Sequence, residues 1–260
     1  MSVYALVSPG GAAGVTTTAL ALALTWPGPV IVAECDPAGG AILAGLFAGH
    51  LPAPRGLLDV AFEAGRSGAA LSAGPGGHLA PLDGSGSKMF LAGLSDPRDA
   101  PGLAPAWPAI ARVLASQPCD VIADCGRLDP GDAQPTAVLM AADVAIMAMR
   151  PALRQFSAAR PRIEMLLELR GGPRHVGLLL IGDGRYRPAE IARTLGVPLL
   201  ARIPLDTKIA GMLSDGVRRR SSLADEPLIR AARAAGQAIA KVGASHSARP
   251  VVSGHQKRVG

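Results

Sequence analysis

The stretch from Tyr4 to Trp26, YALVSPGGAAGVTTTALALALTW, constrains the fold of this chain more than any other. A short apolar strand over Tyr4 to Val7 leads into a loop of Ser8, Pro9, two glycines, two alanines and Gly14. Three threonines then open an Ala/Leu-rich run of good helix formers. The sequence therefore predicts a strand, a glycine-rich loop and the beginning of a helix in direct succession.

This succession is the geometry of a phosphate cradle, because small residues let backbone N–H groups approach oxygens while the helix dipole adds positive potential. In the usual pattern, G-x-x-x-x-G-K-[ST], a lysine contacts the phosphates and a hydroxyl holds Mg²⁺. Here Val15 replaces the lysine and Thr16 supplies the hydroxyl. The predicted nucleotide-binding residues are Gly10, Gly11, Ala12, Ala13, Gly14, Val15, Thr16 and Thr17. Helix capping by the hydroxyls of Thr16 and Thr17 is the alternative.

The missing lysine separates nucleotide binding from nucleotide turnover. A charge-assisted hydrogen bond contributes roughly 1.5–3 kcal/mol, so its loss is expected to weaken binding by about tenfold to a hundredfold. Charges that stabilise the phosphoryl-transfer transition state are worth about 10³–10⁵ in rate. Hydrolysis is thus the activity in doubt. Arg127, Arg150 and Arg154 follow predicted strands and are candidates for a substitute cation.

Two further strands end in acidic residues. Val30 to Ala33 is a predicted buried strand that leads to Asp36, and Asp120 to Asp124 is a hydrophobic strand ending in aspartate, as in a Walker B motif. We therefore predict Thr16, Asp36 and Asp124 as Mg²⁺ ligands, with Asp36 near the γ-phosphate as the candidate catalytic residue. Strand-terminal aspartates are common, however, and Asp36 is equally suited to capping a helix predicted over residues 41–50.

Apolar runs alternate with helical segments along the chain, which is typical of βαβ units. We predict an α/β fold with three layers, in which a doubly wound, mostly parallel sheet carries helices on both faces. Residues 1–243 are expected to form a single domain, with a last helix over Leu228 to Val242. The basic segment 244–260 is expected to be a disordered tail.

Composition excludes some classes of function. The net charge of +6 and the pI of about 9.8 permit contact with DNA without requiring it. Two tryptophans, two tyrosines and four phenylalanines are too few for a base-stacking platform. The three cysteines are read as small buried residues of a reducing compartment. No apolar stretch is long enough to span a bilayer, so a cytoplasmic protein is expected.

Together these motifs resemble the ParA/MinD family of P-loop ATPases, the deviant-Walker-A branch, from Tyr4 to about Val242. The resemblance is carried by the loop GGAAGVTT, by Glu34 to Gly39, by Asp120 to Asp124, and by the segment Gly196 to Asp206. It implies the P-loop NTPase fold, ATP and Mg²⁺ as cofactors, a homodimer, and a protein partner at a cellular location.

The departures from the family pattern lie in the phosphate loop. The family's signature lysine, which reaches across a dimer that sandwiches the nucleotide, is Gly10 here, and its second lysine is Val15. The adenine-contacting asparagine of the family is not visible near Ile181 to Arg185. The resemblance thus implies a regulator of subcellular positioning with weak or absent hydrolysis, similar to the TadZ/CpaE group with its eroded phosphate loops.

The alternatives belong to other classes. A DNA-partition ATPase that binds DNA non-specifically would use Arg218, Arg219, Arg220 and the basic tail as phosphate contacts. An enzyme of related fold that phosphorylates or amidates a small molecule ranks last, because neither paired carboxylates nor a Cys/His constellation marks a substrate site.

Overall fold

One β-sheet of eight strands lies at the centre of the computed structural model, which describes residues 1–11, 14–49, 55–64, 70–74, 76–131, 133–216 and 225–247. The strands are β1 (Val3–Ser8), β2 (Val30–Glu34), β3 (Leu79–Pro81), β4 (Lys88–Leu91), β5 (Asp120–Arg127), β6 (Val144–Met149), β7 (Val176–Ile181) and β8 (Leu199–Ile203). Their order is β3-β4-β2-β5-β1-β6-β7-β8. Neighbouring strands run parallel except β3, which is antiparallel to β4.

The described residues form nine α-helices. They are α1 (Val15–Thr25), α2 (Leu57–Ala64), α3 (Ala100–Leu103), α4 (Trp107–Ala115), α5 (Thr136–Ala141), α6 (Leu153–Arg170), α7 (Pro188–Leu195), α8 (Thr207–Asp215) and α9 (Pro227–Ser247). Within the described ranges, none of these helices has the length and apolar character needed to cross a bilayer.

The sheet separates two hydrophobic cores, because successive side chains of a strand point to opposite faces. In β1, Val3, Ala5 and Val7 belong to one core, which α2 to α7 cover. Tyr4 and Leu6 belong to the other, which α1, α8 and α9 cover. Helices thus lie on both faces of a mostly parallel sheet, and the predicted three-layer α/β fold is confirmed.

The helix predicted over residues 41–50 is wrong. Irregular turns occupy residues 42–49, and His50 lies outside the described residues. The segment packs closely on the end of α8, where a Cβ added at Gly45 would lie 2.3 Å from the carbonyl oxygen of Ser214. The segment forms turns where it makes this close backbone contact. The contact joins residues far apart in the sequence, so the local pattern could not predict it.

Other differences concern the limits of elements. The last helix begins at Pro227 and continues to Ser247, beyond the predicted end at Val242, while residues 248–260 of the predicted tail lie outside the described residues. The short helices α3 and α5 were not predicted, because each is too short to show a helical period.

Helix α9 packs on the sheet through Gly243, where an added Cβ would lie 2.3 Å from Oη of Tyr4. We expect Gly243→Ala to lower the free energy of unfolding by about 1–3 kcal/mol, because Tyr4 is buried and has little room to move. Gly102→Ala is the matched control, since a Cβ at this helical glycine meets no atom within 4 Å. It should be neutral or stabilise by up to about 1 kcal/mol. Urea unfolding measures the free energy of unfolding of both variants. Equal changes in the two would show that the contact of Gly243 with Tyr4 is not what limits the side chain at this position.

Candidate functional site

The glycine-rich loop follows the end of β1 and leads directly into α1. Gly14 is the N-cap residue of α1 and has a φ of 88°, a left-handed conformation that glycine adopts without strain. Among the described residues, no side chain caps this helix. Its first N–H groups, which lack partners within the helix, are therefore available to an anion. Gly10 and Gly11 are described, whereas Ala12 and Ala13 lie outside the described residues.

Thr16 and Asp124 come together at the edge of the sheet. The Asp124 carboxyl group is 2% exposed, lies beside the side chain of Thr16, and accepts the N–H of Gly126 at 3.0 Å. Burial raises the pKa of Asp124 from 3.8 to about 7, although the interactions with Thr16 and Gly126 oppose the shift. The first turn of α1 thus lies beside a buried carboxyl group in the second half of β5, and the pKa of this group is about 7.

Asp36 lies beside this pair, just after β2. Its Oδ1 accepts the N–H of Ala38 at 2.8 Å, so it closes a turn and not the start of a helix. Its carboxylate rests against Gly126, where a Cβ would lie 2.0 Å from Oδ2. Burial raises the pKa of Asp36, and its charge in turn raises the pKa of Asp124. The helix-capping alternative for Asp36 is therefore wrong.

The donor set fits a hard divalent cation. Thr16 and Asp124 offer oxygen atoms, and Asp36 is near enough to interact with Asp124 electrostatically. The described residues contain no group of three or more acidic, histidine or cysteine side chains able to enclose a metal ion. Mg²⁺ is usually held by one or two carboxylates, with phosphates and water completing the shell, so this smaller set is chemically suitable.

Glu34 is a buried residue that the sequence reasoning did not single out. Its Oε1 accepts the N–H groups of Ala41 and Ile42 at 2.6 and 2.8 Å, and its Oε2 accepts that of Gly93 at 3.1 Å. Burial raises the pKa of Glu34 in spite of these bonds. The carboxylate therefore ties the segment that carries Asp36 to the end of β4. The sequence contained one signal for this role of Glu34, which is its position as an acidic residue at the end of a buried strand.

A cavity of about 220 Å³ opens next to the loop. It is lined by Gly14, Thr17, Thr18, Arg150, Ile181, Ile203, Pro204, Leu205, Asp206, Ala210 and Leu228. The side chain of Val15 does not face it, since Val15 is 6% exposed and packs in the core under α1. The position of the usual lysine thus contributes to packing, and only its backbone remains for a ligand.

No protein-family model and no curated protein sequence matches the chain. Solved structures do match. The septum site-determining protein MinD of Pyrococcus horikoshii OT3, complexed with Mg-ADP, has a TM-score of 0.70 at 18% identity, over 95% of this chain and 99% of its own. This chain has the fold of MinD.

Two further structures extend the similarity in fold. A ParA family ATPase from Chlorobium tepidum TLS has a TM-score of 0.68 at 16% identity, over 91% of this chain and 98% of its own. The McdA(D38A)–ATP complex from Cyanothece has a TM-score of 0.62 at 15% identity, over 97% of this chain and 99% of its own. The predicted ParA/MinD-like P-loop ATPase fold is therefore confirmed across nearly the whole length of these chains.

The raised pKa of Asp124 predicts how stability depends on pH in the ParA/MinD-like fold. Folded Asp124 keeps its proton up to about pH 7, whereas the unfolded chain releases it near 3.8, so its contribution is complete below 3.8 and is lost as the pH rises to about 7. From about pH 5 to about pH 8, unfolding free energy should fall by about 1–3 kcal/mol more in the wild type than in Asp124→Asn. Urea unfolding without nucleotide or Mg²⁺ checks this, and parallel pH profiles would show that Asp124 is not the titrating group.

Proposed function

We propose that this protein is a nucleotide-binding positioning factor of the ParA/MinD type, which binds Mg·ATP and responds by dimerising in the cytoplasm. Its output is a change of association and conformation, with hydrolysis weak or absent. The observation that carries the proposal is the N-terminus of α1 after the glycine loop, which no side chain of the described residues caps and which lies beside Thr16 and Asp124.

In this proposal each site residue has a defined role. The N–H groups of the segment from Gly10 to Thr17 hold the phosphates, Thr16 and Asp124 serve Mg²⁺, and Asp36 faces the γ-phosphate. The crevice at the carboxyl ends of parallel strands is the usual place for such a ligand. The MinD structure with Mg-ADP and the McdA structure with ATP support the choice of ligand.

Weak hydrolysis follows from the side chains at two positions. Gly10 offers no side chain at all, and the Val15 side chain is buried in the core. The loop therefore lacks both cations that would stabilise charge developing on the transferred phosphoryl group. Binding energy from backbone N–H groups remains, and it shifts an equilibrium between monomer and dimer to the extent that the dimer binds the nucleotide more tightly.

Nucleotide binding with weak hydrolysis suits the recruitment of a protein partner better than catalysis. The positioning factors that the proposed function resembles most are therefore those of the TadZ/CpaE-like group.

The DNA-partition alternative depends on Arg218, Arg219 and Arg220, which lie outside the described residues. No contact among the described residues favours it, so it stays a prediction that salt-dependent binding to random duplex DNA would test.

Thr16→Ala tests the proposed nucleotide response. We expect the wild type to bind Mg·ATP and to shift from monomer to dimer on light-scattering chromatography. Thr16→Ala should weaken Mg·ATP binding about tenfold or more, because it removes the hydroxyl beside Asp124. The control is Thr25→Ala at the other end of α1, where the hydroxyl donates to the Ala21 carbonyl at 2.8 Å away from the loop. It should bind as the wild type does.

Two results would contradict the proposal. A wild type that binds no Mg·ATP, or that binds it and remains monomeric, would remove the positioning mechanism. Phosphate release by the same samples, at rates usual for P-loop ATPases, would overturn weak hydrolysis while leaving nucleotide binding intact.

A further inference from the structure

The cavity beside the loop lies where the chain reverses its direction across the sheet. The connection after β1 leads towards β2 on one side, while the connection after β6 leads to β7 on the other. β1 and β6 are neighbours, and such a point between oppositely directed connections is where open α/β sheets usually bind ligands. The cavity continues from there to Ile181 and Ile203 at the ends of β7 and β8. Val7 of β1 pairs with Met147 of β6. Gly10 and Arg150 each follow three residues after this pair.

Arg150 lines this cavity together with Gly14 and Thr17. Its Nε is buried and has no hydrogen-bond partner among the described residues. The two other candidate cations differ in this respect. Arg127 forms an ion pair with Asp129 at 2.8 Å, and Arg154 is exposed and does not line the cavity.

The backbone around Arg150 is held in place. Pro151 follows it and restricts the chain, and the N–H of Ala152 donates to the Arg150 carbonyl at 2.8 Å. Pro151 also packs against Gly184, where an added Cβ would lie 2.1 Å from the Pro151 carbonyl oxygen. The guanidinium therefore extends from a fixed point at the rim of the crevice.

Gln155, in the first turn of α6, approaches the same loop from the same side. Its Nε2 lies 3.7 Å from the position that a Cβ of Gly10 would take. Its Oε1 is buried without a hydrogen-bond partner among the described residues. Phosphate oxygens accept hydrogen bonds, so they would satisfy the unpartnered Nε of Arg150, whereas the atom that Gln155 offers to a phosphate is its Nε2 donor.

We propose that Arg150 replaces the missing loop lysine as the cation that binds the polyphosphate of the nucleotide, with the amide of Gln155 as a second donor. This inference rests on the proposed nucleotide binding and adds the side chains that accomplish it. A guanidinium presents a planar fork of N–H groups, which suits phosphate oxygens in bidentate contacts. The cation thus comes from the β6–α6 connection and not from the loop itself.

The experiment compares the affinity for Mg·ATP of the wild type, Arg150→Ala, Arg150→Lys and the exposed-neighbour control Arg154→Ala. We expect Arg150→Ala to weaken binding about tenfold to a hundredfold. Arg150→Lys should recover part of the loss because it keeps the charge, and Arg154→Ala should stay within about twofold of the wild type. The decrease of affinity with salt should also be less steep in Arg150→Ala, since one phosphate contact is lost.

Gln155→Glu provides an independent test in a side chain of the same shape. It places a carboxylate next to Gly10 and should weaken Mg·ATP binding about tenfold or more through repulsion of the phosphates. Urea unfolding without nucleotide identifies any variant whose loss comes from instability.

The outcomes separate this inference from the proposed function. If the wild type binds Mg·ATP and Arg150→Ala binds it equally well, Arg150 is not the phosphate cation, and the proposed function stands. If Arg150→Lys is as weak as Arg150→Ala and both are destabilised without nucleotide, the side chain is a packing element and the inference is overturned. A wild type that binds no Mg·ATP overturns both.

Discussion

The approach of the Thr16 side chain to the buried carboxyl group of Asp124 is the interaction on which the candidate site depends. It brings the first turn of α1, on one face of the sheet, next to the second half of β5. The glycine loop between β1 and α1 is thereby fixed against a neighbouring parallel strand. The left-handed Gly14 then turns the chain so that the N–H groups of the helix begin at the carboxyl edge.

Acidic side chains at the carboxyl edge of the sheet explain why the binding of a polyphosphate would require cations. Glu34 and Asp36 lie at and just after the end of β2, Asp124 lies in the second half of β5, and burial raises the pKa of each carboxyl group. No lysine in the loop offsets them. A polyphosphate would be repelled by these groups wherever they are ionised, so the proposed site places Mg²⁺ on the carboxylate side and the guanidinium of Arg150 on the β6 side. The site is divided between opposite sides of β1.

The sequence was sufficient for features that depend on local pattern. The buried strand that leads to Asp36, the buried strand that contains Asp124, and the glycine loop followed by threonines follow from residue types at fixed spacing, although β5 continues past the predicted end at Asp124 to Arg127. Features set by distant parts of the chain were not accessible. The donors to Glu34 come from separate segments, and the contact of Gly45 with Ser214 joins residues far apart in the sequence. The choice of Arg150 over Arg127 likewise required the ion pair that occupies Arg127.

The proposed function depends on one interaction, in which backbone N–H groups of a loop without lysine hold a nucleotide polyphosphate beside Thr16. Amide chemical shifts of the ¹⁵N-labelled protein during a titration with Mg·ATP report on these groups. The largest changes are expected at Gly11, Gly14, Val15 and Thr16, and they should saturate. If the amides of this loop do not respond while the protein otherwise gives a well-dispersed spectrum, the loop does not hold the polyphosphate.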